Sequence, residues 1–314
     1  MEMNNEKNQL IALDLGRGQV KGRTVVEGAE KLVLFPSVIC VPTDQGLGAD
    51  ENRTHFSVKG LELAEAEGGY FVGKSAVSSD TVQQYTNDSK TNKISQILLA
   101  SALGMLASQT KVNVMLGVPK NMYTKTTMEE IKETYEGKDI FITNEANGET
   151  KKVNINNIHI FREADASAMH LINQKPRLHN VDFAVANLGF RTLEMTYYKA
   201  GFKPDANLTT NLHFGNLQIL KQVKDLTVSR LKEQAIDQSK NEKYFEAKIK
   251  AYENASEKLE TEIEEVWGSQ DVEIFVTGGT SKHIKTKYEK IHDPQFSTVR
   301  GLYLAGQKKF SKGA

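Results

Sequence analysis

The sequence predicts an α/β protein of two domains related by duplication, and three observations carry that prediction. A glycine-turn hairpin occurs twice, at 10–26 and again at 183–198; each copy is an apolar strand, a tight turn with a small polar residue and glycine, and a second alternating strand. Strands followed by helices recur in both halves, which is the pattern of a layered α/β architecture. The length of 314 residues suffices for about two domains with a sizeable core.

Taken in order, 9–26 alternates and turns as a hairpin, and 32–41 reads as a further strand interrupted at Pro36. Polar, glycine-rich sequence from 43 to 90, with strands at 54–59 and 69–73, marks an inserted subdomain. The spacing of Ile94, Ile97, Leu98, Ala102, Leu103, Met105 and Leu106 predicts a core-facing helix over 93–108. A buried strand at 111–119, ended by Pro119, and a helix at 127–135 come next. Strands at 140–143 and 151–155 flank Asn147-Gly148 as a hairpin. Strand 158–161 runs into a small-residue helix at Glu163, and Pro176 closes the first half. After the repeated hairpin, the charged stretch 216–266 predicts two helices parted around 237–241, with Leu217, Leu220, Val223 and Leu226 as an apolar stripe. A strand at 271–280 ends in Thr277-Gly278-Gly279-Thr280, a helix is expected from about Ser281, and a last helix near 296–306 packs back on the first half.

Lysine plus arginine equals aspartate plus glutamate at 40 each, so no net field draws the chain to nucleic acid or to an anionic membrane. The polar start lacks the pattern of a secretion signal and no apolar run approaches a membrane span, so the cytoplasm is the expected location. The single cysteine, Cys40, sits among Val38, Ile39 and Val41 and reads as an inert residue of a buried strand. The seven histidines show no zinc-type spacing, and Tyr197-Tyr198 reads as packing in a strand.

Glycine turns suit a phosphate chain because they allow close backbone approach and present several N–H donors. In the first turn Gly16 and Gly18 open the backbone, Lys21 can set its ammonium against phosphate oxygens, and Asp14 can hold magnesium through its water shell. Alone, Asp-x-Gly after a strand is an ordinary hairpin turn; the second copy, Asn187 to Thr192, shifts the weight toward a pair of phosphate-binding turns. Thr277-Gly278-Gly279-Thr280 adds a third turn on which a nucleoside could rest, or else a plain helix entry capped by threonine. With Glu163-Ala164-Asp165-Ala166-Ser167-Ala168 between the hairpins and 293–302 as a closing segment, nearly the whole chain resembles the actin-like ATPase superfamily, and within it the plasmid-segregating bacterial actins of the ParM type.

That resemblance implies duplicated actin/ribonuclease-H-like α/β domains with a nucleotide cleft between them, each with a smaller inserted subdomain. The first would be 1–178, with the insertion at 43–90 and completion by a C-terminal helix at 297–314; the second would be 179–296, with a helical insertion at 216–268. It implies ATP with magnesium, GTP being left open. Glu163 would orient the attacking water, with Asp14 and Asn187 as the other catalytic positions. Gly16, Arg17, Gly18, Gln19, Lys21, Gly189, Phe190, Arg191 and Thr192 would surround the phosphates, and Gly278, Gly279 and Thr280 the nucleoside. Asn187 stands where the family usually carries aspartate, so slow hydrolysis is expected. The implied function is a nucleotide-dependent filament of self-associating subunits that moves or segregates plasmid DNA through an adaptor DNA-binding protein, without direct nucleic-acid or membrane binding. A small-molecule, sugar-type kinase of the same fold is the alternative.

Overall fold

The computed structural model describes residues 8–42, 54–77, 82–85 and 89–311. The opening part of the expected insertion, 43–53, lies outside the described residues. Among the described residues the chain forms two units, Met1–Glu163 with Leu302–Ala314, and Ala164–Gly301.

In the first unit β1 (Gln9–Leu15), β2 (Gln19–Val26) and β3 (Ala29–Pro36) form an antiparallel meander. Ser37 breaks the run before β4 (Val38–Cys40) because it is occupied by the first turn, its N–H donating to the Gly18 carbonyl at 3.0 Å. β5 (His55–Lys59) and β6 (Tyr70–Val72) are followed by a single helical turn, α1 (Lys74–Val77), and the short β7 (Gln83–Gln84). Helix α2 (Lys93–Leu106) is almost wholly buried and starts where the Asn92 side chain accepts from the Ser95 N–H at 2.9 Å. Then come β8 (Lys111–Val118), α3 (Lys125–Tyr135), β9 (Asp139–Asn144) and β10 (Glu149–Arg162). The sheet order is β3-β2-β1-β8-β10-β9-β5-β6-β4-β7, with β1, β8 and β10 parallel. Its core joins Ile11, Leu13, Leu98, Leu103, Val114, Leu116 and Ile160. Cys40 is buried in β4, as expected for a structural residue.

β10 replaces the two strands expected at 151–155 and 158–161. The asparagines between them read as a break, but they sit at a register shift between Ile155 and Asn157, where the Asn156 and Asn157 amides donate to Asn113 Oδ1 at 3.3 and 3.2 Å. The antiparallel pairing with β9 ends at Asn154, where the parallel pairing with β8 begins, and the latter continues across the shift to Arg162.

The second unit begins with α4 (Glu163–Gln174), apart from its first residue. Strands β11 (Phe183–Leu188), β12 (Leu193–Lys199) and β13 (Lys203–Leu212) form a second meander. Helices α5 (Asn216–Leu226), α6 (Glu233–Gln238) and α7 (Glu242–Trp267) precede β14 (Glu273–Thr277), β15 (Glu289–Lys290) and α8 (Ser297–Phe310). The order β13-β12-β11-β14-β15, with β14 parallel to β11, repeats the β3-β2-β1-β8-β10 part of the first sheet. The duplicated α/β architecture is thus present in the strand order itself. The long α7 buries Tyr244, Ala251, Ala255, Leu259, Ile263 and Trp267 along one stripe, and the Trp267 indole N–H donates to the Leu208 carbonyl at 2.8 Å.

Four further features depart from expectation. The polar, largely exposed β13 carries too weak an alternation to be read as a strand. The 216–266 stretch is three helices, because Val228 takes a left-handed φ of 47° and ends α5's path. No helix follows Thr280; Ser281–His283 is a single 3-10 turn, so a helix N-terminus is not available there. The division between units falls at Glu163/Ala164 and at Gly301/Leu302, in place of 178/179 and 296/297. Its physical reason is that α4 packs Ala168 and Leu171 with Phe183, Val185, Tyr198 and Phe275, while the Tyr198 hydroxyl donates to Asp165 Oδ1 at 3.0 Å. Among the described residues no helix is long and apolar enough to cross a membrane.

Candidate functional site

Leu15 pairs with Val20, so residues 16–19 form the first turn and Asp14 lies directly across from Lys21. Cross-strand partners share a face, and Lys21 Nζ donates to Asp14 Oδ2 at 2.9 Å. Both side chains are largely withdrawn from water, at 14% and 6% exposure. The other carboxylate oxygen, Asp14 Oδ1, is buried and has no hydrogen-bond partner. Leaving such an oxygen bare costs about 1–3 kcal/mol, more for a charged group. It faces the Gly16 backbone, where an added Cβ would lie 3.5 Å from Oδ1 and 2.8 Å from the Gln19 carbonyl.

Ser37 fixes the direction of this turn. Its hydroxyl donates to the Gly16 carbonyl and its N–H to the Gly18 carbonyl. In a planar trans peptide the following N–H points opposite to the carbonyl, so the Arg17 and Gln19 N–H groups are directed away from Ser37 together. The Leu15 carbonyl is engaged as well, accepting from Lys90 Nζ at 2.8 Å.

Lys90 brings a second cation to this place. It is 4% exposed and its Nζ lies 3.8 Å from Glu163 Oε1. Burial would push its pKa down, but Tyr85, Glu163 and Asp14 outweigh that, and the ammonium is held above its ordinary value. Glu163 begins α4 directly after β10, and its Cγ lies over Gly117, where an added Cβ would come within 3.2 Å. The first unit therefore gathers Asp14, Lys21, Lys90 and Glu163 beside a backbone-lined turn.

The second hairpin has the same register. Leu188 pairs with Leu193, residues 189–192 form the turn, and Asn187 lies across from Glu194. Asp14 and Lys21 thus correspond to Asn187 and Glu194, so the two turns carry different charge. The Gly189 carbonyl accepts from the Asn216 N–H at 3.1 Å and from the Thr280 hydroxyl at 2.8 Å, and the Phe190 carbonyl accepts from the Leu217 N–H at 2.7 Å. Thr280 therefore bonds the second turn instead of capping a helix. The Phe190 ring packs on the core of this unit, so what it offers a ligand is backbone, and Arg191 wraps against Gly215.

Gly278 joins these parts. Its φ is +95°, and a Cβ there would come 2.3 Å from the Leu188 carbonyl and 2.5 Å from Asn187 Oδ1. A Cβ on Gly279 meets nothing within 4 Å. Just beyond, Lys282, His283 and Lys285 line a cavity of about 570 Å³ with Asp237, Phe245, Lys248, Ile249, Tyr252, Glu253 and Ser256. Tyr252 is fixed by its hydroxyl donating to Asn216 Oδ1 at 2.7 Å, and its ring stacks on His283 with centroids 4.8 Å apart. The volume and the aromatic, polar lining suit a small planar ligand.

Residues 12–164 match the family described as the N-terminal domain of actin-like proteins. Solved structures with the same fold span nearly the whole chain. They include a ParM from Clostridium botulinum in a 15-stranded filament, with a TM-score of 0.76 and 20% identity over 96% of this chain and 99% of that one. The chain has an actin-like fold. An archaeal actin homologue in complex with ADP aligns with a TM-score of 0.71 and 17% identity, covering 96% of this chain and 99% of that one. Bacillus thuringiensis ParM with ATP aligns at 0.69 and 16% identity, covering 97% and 99%. Comparison with curated proteins gives no match.

Within this actin-like fold, sequence reading missed Lys90, Glu194 and the cavity residues Tyr252 and His283. Lys90 closes a stretch read as a polar insertion, and only its burial, 4% exposed, marks it. Glu194 was legible from the duplication, seven positions after Asn187 as Lys21 follows Asp14. Tyr252 and His283 lie far apart in sequence and are joined only by folding.

Proposed function

We propose that this protein of actin-like fold binds magnesium-ATP, hydrolyses it, and assembles into filaments that move or segregate plasmid DNA in the cytoplasm through an adaptor protein. The observation that carries this is the buried, partnerless Asp14 Oδ1 at a glycine turn that also holds Lys21. One bare carboxylate oxygen suits an ion that keeps most of its water, and among the described residues no three His, Cys, Asp or Glu side chains gather into an all-protein cage. Bound there, magnesium would screen phosphate charge.

The chain's own groups have separable tasks. Lys21 pairs with phosphate oxygens, the 16–19 turn donates backbone hydrogen bonds, and Glu163 accepts a hydrogen bond from the attacking water and so orients it. Gly189 and Thr192 belong to the second turn, and the base and sugar rest by Gly278 and Gly279 with the Tyr252–His283 cavity beside them. Asn187 supplies an amide where a carboxylate would add charge, which slows turnover without abolishing binding. Solved structures of this fold described as a filament, with ADP and with ATP, support the reading.

Calorimetric titration with ATP, ADP and GTP in magnesium tests it, and also settles the preferred base. Lys21→Met is expected to weaken the nucleotide by about tenfold or more, and Asn187→Asp to raise the rate of phosphate release with affinity little changed. Unaltered affinity in Lys21→Met, or no faster release in Asn187→Asp, would count against the assigned roles.

A further inference from the structure

A lysine as withdrawn from water as Lys90 is stable only where fixed oxygens replace its hydration. Its head meets the Leu15 carbonyl at 2.8 Å and Glu163 Oε1 at 3.8 Å. Its backbone carbonyl accepts from the buried Tyr135 hydroxyl at 2.5 Å, and its Nζ lies 5.7 Å from the centre of the Tyr85 ring. The main chain is thus held by the end of α3, and the head by the end of β1 and the start of α4.

We propose that Lys90 is a positioning residue that sets Glu163 relative to the phosphate-binding turn. This role presupposes that the unit binds and hydrolyses magnesium-ATP. Leu15 stands between Asp14 and Gly16, so one ammonium anchors the root of the turn and the carboxylate that orients water. A glutamate at the first position of a helix has several rotamers open to it; an adjacent buried cation selects the one that approaches it. Lys21 and Lys90 divide the work: the first neutralises Asp14 and reaches phosphate, while the second never leaves its fixed oxygens. Loss of Lys90 should therefore slow the chemical step and spare binding.

Lys90→Met removes the charge, and Lys90→Gln removes it while keeping an N–H donor for the Leu15 carbonyl, which preserves the fold. Affinity is read with a fluorescent ATP analogue, and kcat from phosphate release at saturating magnesium-ATP. Both variants are expected to bind within about threefold of wild type and to lose about tenfold or more in kcat. Lys90→Arg, which keeps the charge, recovers part of the loss. Lys90→Gln combined with Glu163→Gln is no slower than Glu163→Gln alone, since both act through one carboxylate. Unchanged kcat in Lys90→Gln, affinity falling in step with kcat, or losses that multiply in the double variant would each overturn the role. A wild type that binds no magnesium-ATP would instead sink the nucleotide reading itself, and this role with it.

Discussion

Asp14 and Lys21 form a mostly buried pair whose members are unequal once separated. Removing Lys21 leaves a carboxylate at 6% exposure with neither oxygen paired, whereas removing both charges leaves neither exposed to that penalty. Lys21→Met is therefore expected to destabilise the nucleotide-free protein by about 2–4 kcal/mol, and Asp14→Asn in addition to recover much of it, as read by urea denaturation. Equal stability of Lys21→Met and wild type would show that the pair is solvated. His159 gives a second test at this scale. Burial first, then Lys309 and Lys132, hold its imidazole below the ordinary value against Glu136. The unfolded chain takes up a proton at about pH 6.5, so the contribution of His159 is complete above that and is lost as pH falls below it. The urea midpoint should drop between about pH 7.5 and about 5.5, and drop less in His159→Gln; equal drops would acquit the residue. Asp14 and Lys21 were legible because their spacing matches the pairing of two strands across a turn. Lys90 was not, since burial of a lysine leaves no pattern along the chain.

At the scale of elements, the second and third glycine turns are held together by backbone contacts that sequence shows only as small residues. Gly278 abuts the Leu188 carbonyl and Asn187 Oδ1, while Gly279 faces open space. Gly278→Ala should lower the melting temperature of the protein, and Gly279→Ala should leave it unchanged but weaken nucleotide binding, because the added methyl enters only the open space in which the proposed nucleotide would rest. Matched melting temperatures in the two variants would refute this division. The strands β1 and β11 announced themselves as apolar runs and β2 and β12 as the alternating strands that follow, each pair joined by turn residues. β13 did not, because an exposed edge strand lacks the apolar half of that signal. The helix expected after Thr280 failed for a different reason: threonine at a helix entry and threonine bonding a neighbouring turn look alike in sequence, and here the hydroxyl donates to Gly189.

For the whole molecule, duplication was the most legible property, because two hairpins of one register seed two sheets of one strand order. The division between units was less so, since α4 changes partners after its first residue and only its packing with β11 and β12 reveals it. The same duplication sharpens the asymmetry of charge: the first turn is flanked by Asp14 and Lys21, the second by Asn187 and Glu194. A protein of this fold that uses nucleotide to control self-association should couple the two in one solution experiment. Light scattering followed by pelleting, with magnesium-ATP and without nucleotide, is that measurement, with Lys21→Met alongside wild type. Nucleotide-dependent polymer from wild type and none from Lys21→Met is the predicted result; wild type that stays monomeric at high concentration while transferring phosphate to a sugar would contradict it.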